Sequence, residues 1–190
     1  MIKIKTVAYL LCLFLFACEE VPAPKPTAYY RIDLPKRTYR QWDGDCAYGF
    51  RLSSEAQMNP SKDSAKACYF DLVYPRFNAT LYLSYLPVQD DLKALIDQEY
   101  ALREKHNAFA TGVKERVYRD NKRKVSAMLF EIEGIKAATP VQLFITDSAH
   151  HFFRGALYFY NTPNNDSLAP VIAYIKQDID TLVESFYWKE

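Results

Sequence analysis

Near the end of the chain, Leu168, Val171, Ile172, Ile175, Ile179, Leu182, Val183 and Phe186 recur at helical spacing in one unbroken stripe. Residues three and four apart share one face of an α-helix, so the stripe predicts a helix of about five turns with a single apolar side. Most of the stability of such a helix comes from packing that side against something else. Asp166 or Ser167 is placed to cap it, and Pro170 then falls in the first turn, where its missing N–H costs little. The surface it covers is a sheet, because strand-like segments fill most of the chain before it.

Residues 46–52 and 68–74 are short apolar runs separated by a polar stretch, 53–67. Residues 79–85 alternate, with Leu81, Leu83 and Tyr85 on one side and Thr80, Tyr82 and Ser84 on the other. Residues 113–118 and 124–132 flank Arg119-Asp120-Asn121-Lys122-Arg123, which reads as a hairpin turn. Residues 141–146 and 152–160 flank 147–151, a second hairpin. These last two strands are apolar on both faces and are expected in the middle of the sheet, covered on each side. Between the two strand groups, Asp90 or Asp91 can cap a helix starting near Leu92, with Leu95, Ile96 and Tyr100 on one face. Strands, helix, strands, helix is the order of an α+β fold: a mainly antiparallel sheet of about six to seven strands with two packed helices. The arrangement resembles the Mog1/PsbP-type sandwich.

The chain of 190 residues suits one domain, and its 15 Tyr and 12 Phe supply a core that a disordered chain would lack. Its 24 basic and 23 acidic residues nearly cancel, so no net positive field gathers nucleic-acid phosphates. Five glycines leave little for phosphate-cradling loops.

Lys3 and Lys5 precede an apolar run from Val7 to Ala17. The run falls short of the roughly 20 residues that span a bilayer and fits an export signal, residues 1–17. Leu15-Phe16-Ala17-Cys18 resembles the lipobox of bacterial lipoproteins, with Phe16 bulkier than usual. That resemblance implies cleavage before Cys18, acylation of its thiol and acylation of the new amine. Cleavage removes Lys3 and Lys5, leaving 22 basic against 23 acidic residues and a net charge of −1. Residues 18–28, with three prolines, read as a lipid-anchored tether, and 29–190 as the domain. Glu19 stands where an Asp is the usual inner-membrane retention signal, which favours the outer membrane; the domain is expected to face the periplasm, with the medium as the alternative.

Cys12 leaves with the signal and Cys18 is acylated, so Cys46 and Cys68 remain. Two cysteines in an oxidising compartment point to one disulfide, with two buried free thiols as the alternative. If 46–52 and 68–74 paired as a simple hairpin, the cysteines would lie about 20 Å apart at opposite ends, beyond disulfide reach. The bond therefore requires the polar stretch to run back along the strand length, so that the two strands start side by side.

Motifs that carry catalysis are missing from the sequence: no GxSxG, HExxH, Walker loop, CxxC or GxGxxG is found. His106, near the end of the first helix, can face the carbonyl end of its dipole. In Asp147-Ser148-Ala149-His150-His151, adjacent histidines on a strand point to opposite faces, so at most one joins Asp147 as a metal ligand. Glu131 and Glu133 share a strand face and read as a solvated surface. Neither a cofactor nor a small-molecule substrate is expected, and the chain reads as a non-enzyme. Tyr29, Tyr30, Tyr39 and Trp42, interleaved with Arg31, Arg37 and Arg40, fit either an interface or an edge strand over the core.

Together the motifs resemble one family, the gliding motility lipoprotein GldD of the Bacteroidetes. Tyr30-Arg31-Ile32-Asp33-Leu34-Pro35, Cys46, Cys68, Tyr74-Pro75 and Ala79-Thr80-Leu81-Tyr82-Leu83-Ser84-Tyr85 carry the first part of the resemblance. Thr146-Asp147-Ser148, His151-Phe152, Gly155-Ala156-Leu157-Tyr158-Phe159, Pro163-Asn164 and Asp166-Ser167 carry the second. Tyr174-Ile175, Asp178-Ile179, Glu184-Ser185 and Trp188 complete it. The resemblance implies a non-enzymatic accessory of gliding motility and type IX secretion, whose partners are other motility lipoproteins and the secretion core. A periplasmic glycan- or lipid-binding lipoprotein is the alternative. The Bacteroidetes attach O-glycans at Asp-Ser or Asp-Thr followed by a small or aliphatic residue. Of four such sites, Ser64 in the polar stretch and Ser148 in the hairpin turn are the accessible candidates, since Ser167 is needed as a cap and Thr181 lies in the helix.

The lipobox generates the first prediction. Cys18→Ser should abolish lipid labelling and release the protein from membranes; a variant that still fractionates with membranes without a partner to hold it there refutes the anchor.

Overall fold

The computed structural model describes residues 31–61, 68–105, 107–161 and 164–189. Cys18, the tether, Tyr29, Tyr30, Ser64, His106 and Pro163 lie outside the described residues. In chain order the elements are β1 (Tyr39–Trp42), β2 (Tyr48–Ser53), β3 (Gln57–Pro60), β4 (Phe70–Tyr74), β5 (Ala79–Pro87), α1 (Leu92–Glu104), β6 (Gly112–Asp120), β7 (Val125–Glu133), β8 (Val141–Thr146), β9 (His151–Phe159), α2 (Asn165–Ser185) and β10 (Tyr187–Trp188). A seven-stranded antiparallel sheet runs β3-β4-β5-β9-β8-β7-β6, and a separate three-stranded sheet runs β1-β2-β10. The fold is α+β, and Arg31–Glu190 form one compact unit.

Both expected hairpins form, β6 with β7 and β8 with β9. β8 and β9 stand at the centre of the large sheet, as two-faced apolar strands must. On one face Leu81, Leu83, Leu143, Ile145, Phe153 and Leu157 meet Val171, Ile175, Ile179, Leu182 and Val183 of α2 and Tyr48, Phe50 and Leu52 of β2. On the other, Phe130, Phe144 and Phe152 receive Leu92, Leu95, Ile96 and Tyr100 of α1. The C-terminal stripe thus covers one side of the sheet and the weaker stripe of α1 the other.

Several details differ from expectation, each for a local reason. Asn164, not Asp166 or Ser167, takes the N-cap position of α2, and its side-chain oxygen accepts from the Ser167 N–H at 3.5 Å. The helix therefore begins earlier, and Pro170 sits inside it rather than in its first turn. Asp91 occupies the N-cap position of α1, but its carboxylate accepts from the Gln89 N–H at 2.9 Å instead of capping the helix. The strands read at 46–52 and 68–74 do not start side by side in one sheet: β2 and β4 belong to different sheets. The polar stretch between them does run back, but as a strand of its own, β3, paired antiparallel with β4.

Two short approaches fix the remaining geometry. Gly49 of β2 lies beneath the Tyr187 ring, where a Cβ would come within 2.3 Å of the phenol oxygen. Gly134 has φ +148°, and a Cβ there would meet the Phe109 carbonyl oxygen at 2.3 Å. A larger residue at Gly49 displaces the Tyr187 ring, and one at Gly134 meets the Phe109–Ala110 backbone.

The structure sets the Sγ atoms of Cys46 and Cys68 at bonding distance, with Cα atoms 5.7 Å apart. The link joins the loop before β2 to the loop before β4, tying the small sheet to the large one. Closing a loop of 22 residues contributes about 3 kcal/mol in the chain-entropy account. Cys46 and Cys68 should therefore resist alkylation until reduced, and Cys46→Ala should lower stability by about that amount in a urea melt. Alkylation of the untreated protein at both sulfurs removes the bond.

Candidate functional site

Asp178 is the charged residue that the apolar stripe hides. It lies on α2 three residues after Ile175 and is 2 % exposed. The Tyr39 hydroxyl donates to its Oδ1 at 3.0 Å, and the Arg37 Nε stands 3.9 Å from the same oxygen. The Arg37 guanidinium also lies over the Tyr174 ring, 4.3 Å from its centre. Burial raises the Asp178 carboxyl, and the Ser53, Tyr39 and Tyr74 hydroxyls with Arg37 only partly offset it. Burial, together with the Asp178 charge, holds the Tyr74 phenol well above its ordinary value. Little of Asp178 is open to solvent, and its contacts join Arg37 and Tyr39 of β1 to α2. The cluster fastens the first described segment onto α2, helped by Ile32 packing on the core and by Arg76 donating to the Asp33 carbonyl at 3.0 Å.

That segment contains the aromatic and arginine residues whose role the sequence left open. Tyr39 and Trp42 lie in β1 at the edge of the small sheet, and Trp42 packs on the rings of Tyr48, Phe50 and Phe70. Both are spent on the core. Asp178 was missed because an Asp in a helix reads as a solvent-facing residue. Its spacing from Val171, Ile175 and Leu182 was the signal, since that spacing puts it on the buried stripe.

A second cluster gathers at the end of the large sheet where the β6–β7 and β8–β9 turns lie side by side. Lys122, Arg123, Lys124, Asp147, His150, His151, Tyr187, Trp188 and Lys189 line a cleft of about 300 Å³ there. Asp147 and His151 do converge on it, but not as an acid–base pair. Asp147 Oδ1 accepts from the backbone N–H groups of Ala149, His150 and His151 at 3.0, 2.8 and 2.8 Å. Burial raises this carboxyl, yet those donors and His151 outweigh it and hold it below the usual range. The Nδ1 of His151 lies 2.7 Å from the Tyr85 hydroxyl, and its ring stacks on Trp188. Among the described residues no group of three His, Cys, Asp or Glu is placed to hold a metal ion. Ser148 is exposed on this turn with φ +68°, and its N–H donates to Thr146 Oγ1 at 2.9 Å.

Three further carboxylates are held by partners. Glu131, expected on a solvated face, lies 2.7 Å from Arg116 Nε and 2.9 Å from Lys176 Nζ. Glu133 on the same strand pairs with Lys114. Glu99 of α1 is buried, 3.1 Å from Arg154 on β9. Burial raises its carboxyl more than Arg154 lowers it. Among the described residues, no helix is long and apolar enough to cross a membrane.

The Asp178 cluster predicts a pH effect with a definite sign. Its pKa in the folded chain exceeds the ordinary 3.8, so its contribution is fully present below that value and is lost as pH rises through the raised pKa. Stability measured by urea melts should therefore fall in the native protein, relative to Asp178→Asn, over that window. Asp178→Leu, which strips the Tyr39 hydroxyl of its acceptor and Arg37 of its charge partner, should cost about 1–3 kcal/mol at neutral pH. Parallel pH profiles for native and Asn proteins refute the raised carboxyl.

No curated protein matches the chain. Among solved structures, the solution structure of cyanobacterial PsbP (CyanoP) from Synechocystis sp. PCC 6803 is similar at 12 % identity and a TM-score of 0.47, over 87 % of this chain and 99 % of that one. A family model, that of the gliding motility lipoprotein GldD, matches residues 19–188. A match over that length leaves almost no part of the chain outside it, and the chain belongs to the gliding motility lipoprotein GldD family.

Proposed function

We propose that this chain is a non-enzymatic, lipid-anchored component of the gliding and type IX secretion machinery, acting by contact with other envelope proteins. The observation that carries the reading is the family match over residues 19–188, which brings with it a role in gliding motility. The buried state of Asp178 and the backbone-bound state of Asp147 support a scaffold rather than an active site. Anchoring through Cys18 sets the domain on the outer membrane facing the periplasm, with motility lipoproteins and the secretion core as its partners.

The sheet face offers a surface for such contact. Tyr82 and Tyr160 are exposed, their hydroxyls touch, and Tyr158 meets Tyr82 edge to face. They lie on the same sheet face as α1, farther along β5 and β9 than the Leu86 and Phe152 that pack with that helix. Tyrosines are favoured at interfaces because a large rigid ring carries a polar tip.

Deleting the gene should stop colony spreading, and affinity purification from membranes should retain other motility or secretion components. Secreted protein measured in the same strain separates a role in secretion from one in movement. A deletion strain that spreads and secretes normally refutes the proposal.

A further inference from the structure

The cleft between the two hairpin turns and β10 has walls already fixed by their own bonds. Arg123 donates from Nε to Asp120 at 2.8 Å, from one terminal nitrogen to the Phe186 carbonyl at 2.9 Å and from the other to the Tyr118 hydroxyl at 2.7 Å. Trp188 Nε1 donates to the Lys124 carbonyl at 3.1 Å, and the Lys189 N–H donates to the Ala47 carbonyl at 2.9 Å. Lys189 Nζ is paired with Asp43, and the Asp147 carboxylate is engaged by three backbone donors. Arg123, Lys189 and Asp147 are therefore each balanced within the fold.

Lys122 and Lys124 are different. Both are exposed on the turn at the cleft, and neither ammonium has a hydrogen bond or ion pair among the described residues. The exposed His150 ring lines the same cleft and meets the His151 ring edge-on. The cleft thus presents two uncompensated cations and an imidazole over a rigid floor that includes Tyr187 and Trp188. Lysine binds phosphate as a point charge, and rings with a polar edge set among lysines are the chemistry of a membrane–water interface.

We infer that this cleft binds the phosphate of an anionic phospholipid headgroup, with Lys122 and Lys124 as the direct charges and His150 as a further donor. The floor keeps its own hydrogen bonds whether the site is filled or empty, so the ordering that accompanies binding is confined to the two lysine side chains and His150. This reading is independent of the lipid on Cys18: the cleft touches a headgroup, whereas the anchor buries acyl chains.

The test uses the full mature chain, residues 18–190, with Cys18→Ser so that the anchor plays no part. Flotation with phosphatidylglycerol vesicles and with phosphatidylcholine vesicles is compared, alongside titration with soluble glycerol 3-phosphate followed by Trp188 emission and the His150 and His151 ring signals. The pocket double variant is Lys122→Gln with Lys124→Gln. The control is Lys36→Gln with Lys136→Gln, two exposed lysines away from the cleft that remove the same charge. Melting curves check that each variant folds.

Binding to phosphatidylglycerol vesicles but not phosphatidylcholine, weakened about 30-fold in the pocket variant (about 1 kcal/mol per lysine at an anionic surface) and less than threefold in the control, is the expected result. Equal losses in both variants mean unspecific attraction to a charged surface and overturn the site. Binding of glycerol 3-phosphate without binding of vesicles overturns the lipid source, and no binding of either overturns the proposal.

Discussion

Phe186 is fully buried where α2 ends and the chain turns extended toward β10, and four other rings meet around it. Tyr48 and Phe50 of β2 stack on it at 5.8 and 6.1 Å, Phe153 of β9 lies at 5.0 Å, and Trp188 of β10 stands edge-on at 4.8 Å. One side chain thus touches both sheets while its backbone ends the helix. Fully burying a ring of this size stabilises a fold by roughly 1.5–3 kcal/mol, and off-face and edge contacts between rings add to that. Its carbonyl also accepts from Arg123 on the β6–β7 turn at 2.9 Å. Together with the Cys46–Cys68 link, this junction seats the small sheet on the large sheet and α2.

How much of this was legible in the sequence depended on how local each feature is. The α2 stripe, the alternation of β5 and the two hairpins are written in neighbouring residues, and periodicity exposes them. β1, β3 and β10 have four, four and two residues. They are strands only because a partner outside the segment supplies their hydrogen bonds, a neighbouring strand for β1 and β3 and a distant one for β10, where Tyr187 meets Gly49. The division into two sheets was hidden for the same reason, since β2 and β4 look alike until something shows which face each one covers. Asp178 was legible in principle, because its position on the stripe was visible, but a lone charge gives no hint that Tyr39 and Arg37 await it from the other end of the chain. The cleft at the two turns is least legible, since its residues come from three places whose nearness only the sheet order reveals.

The polar interior and the family membership fit one picture of the molecule. Charges that look reactive on paper each meet partners inside the fold, in full for Asp147 with its three backbone donors and in part for Asp178 with Tyr39 and Arg37 and for Glu99 with Arg154. Such matching fixes register and the exit of segments, since leaving any one partner alone in a buried setting is costly. Held in this way, the surfaces of the domain keep a fixed relation to one another.

The arrangement of the small sheet has a consequence for the order in which the chain can fold. β2 has β1 on one side and β10 on the other, so its partners are the earliest and the latest strands of the domain. A chain delivered to its compartment N-terminus first can form the local hairpins as they emerge, because their contacts are close in sequence. It cannot close the small sheet, or seat Phe186 among its neighbours, until Tyr187 and Trp188 have arrived. Until that moment Tyr48 and Phe50 lack their cover, and the unfinished domain presents them to whatever chaperone or translocation machinery attends its emergence.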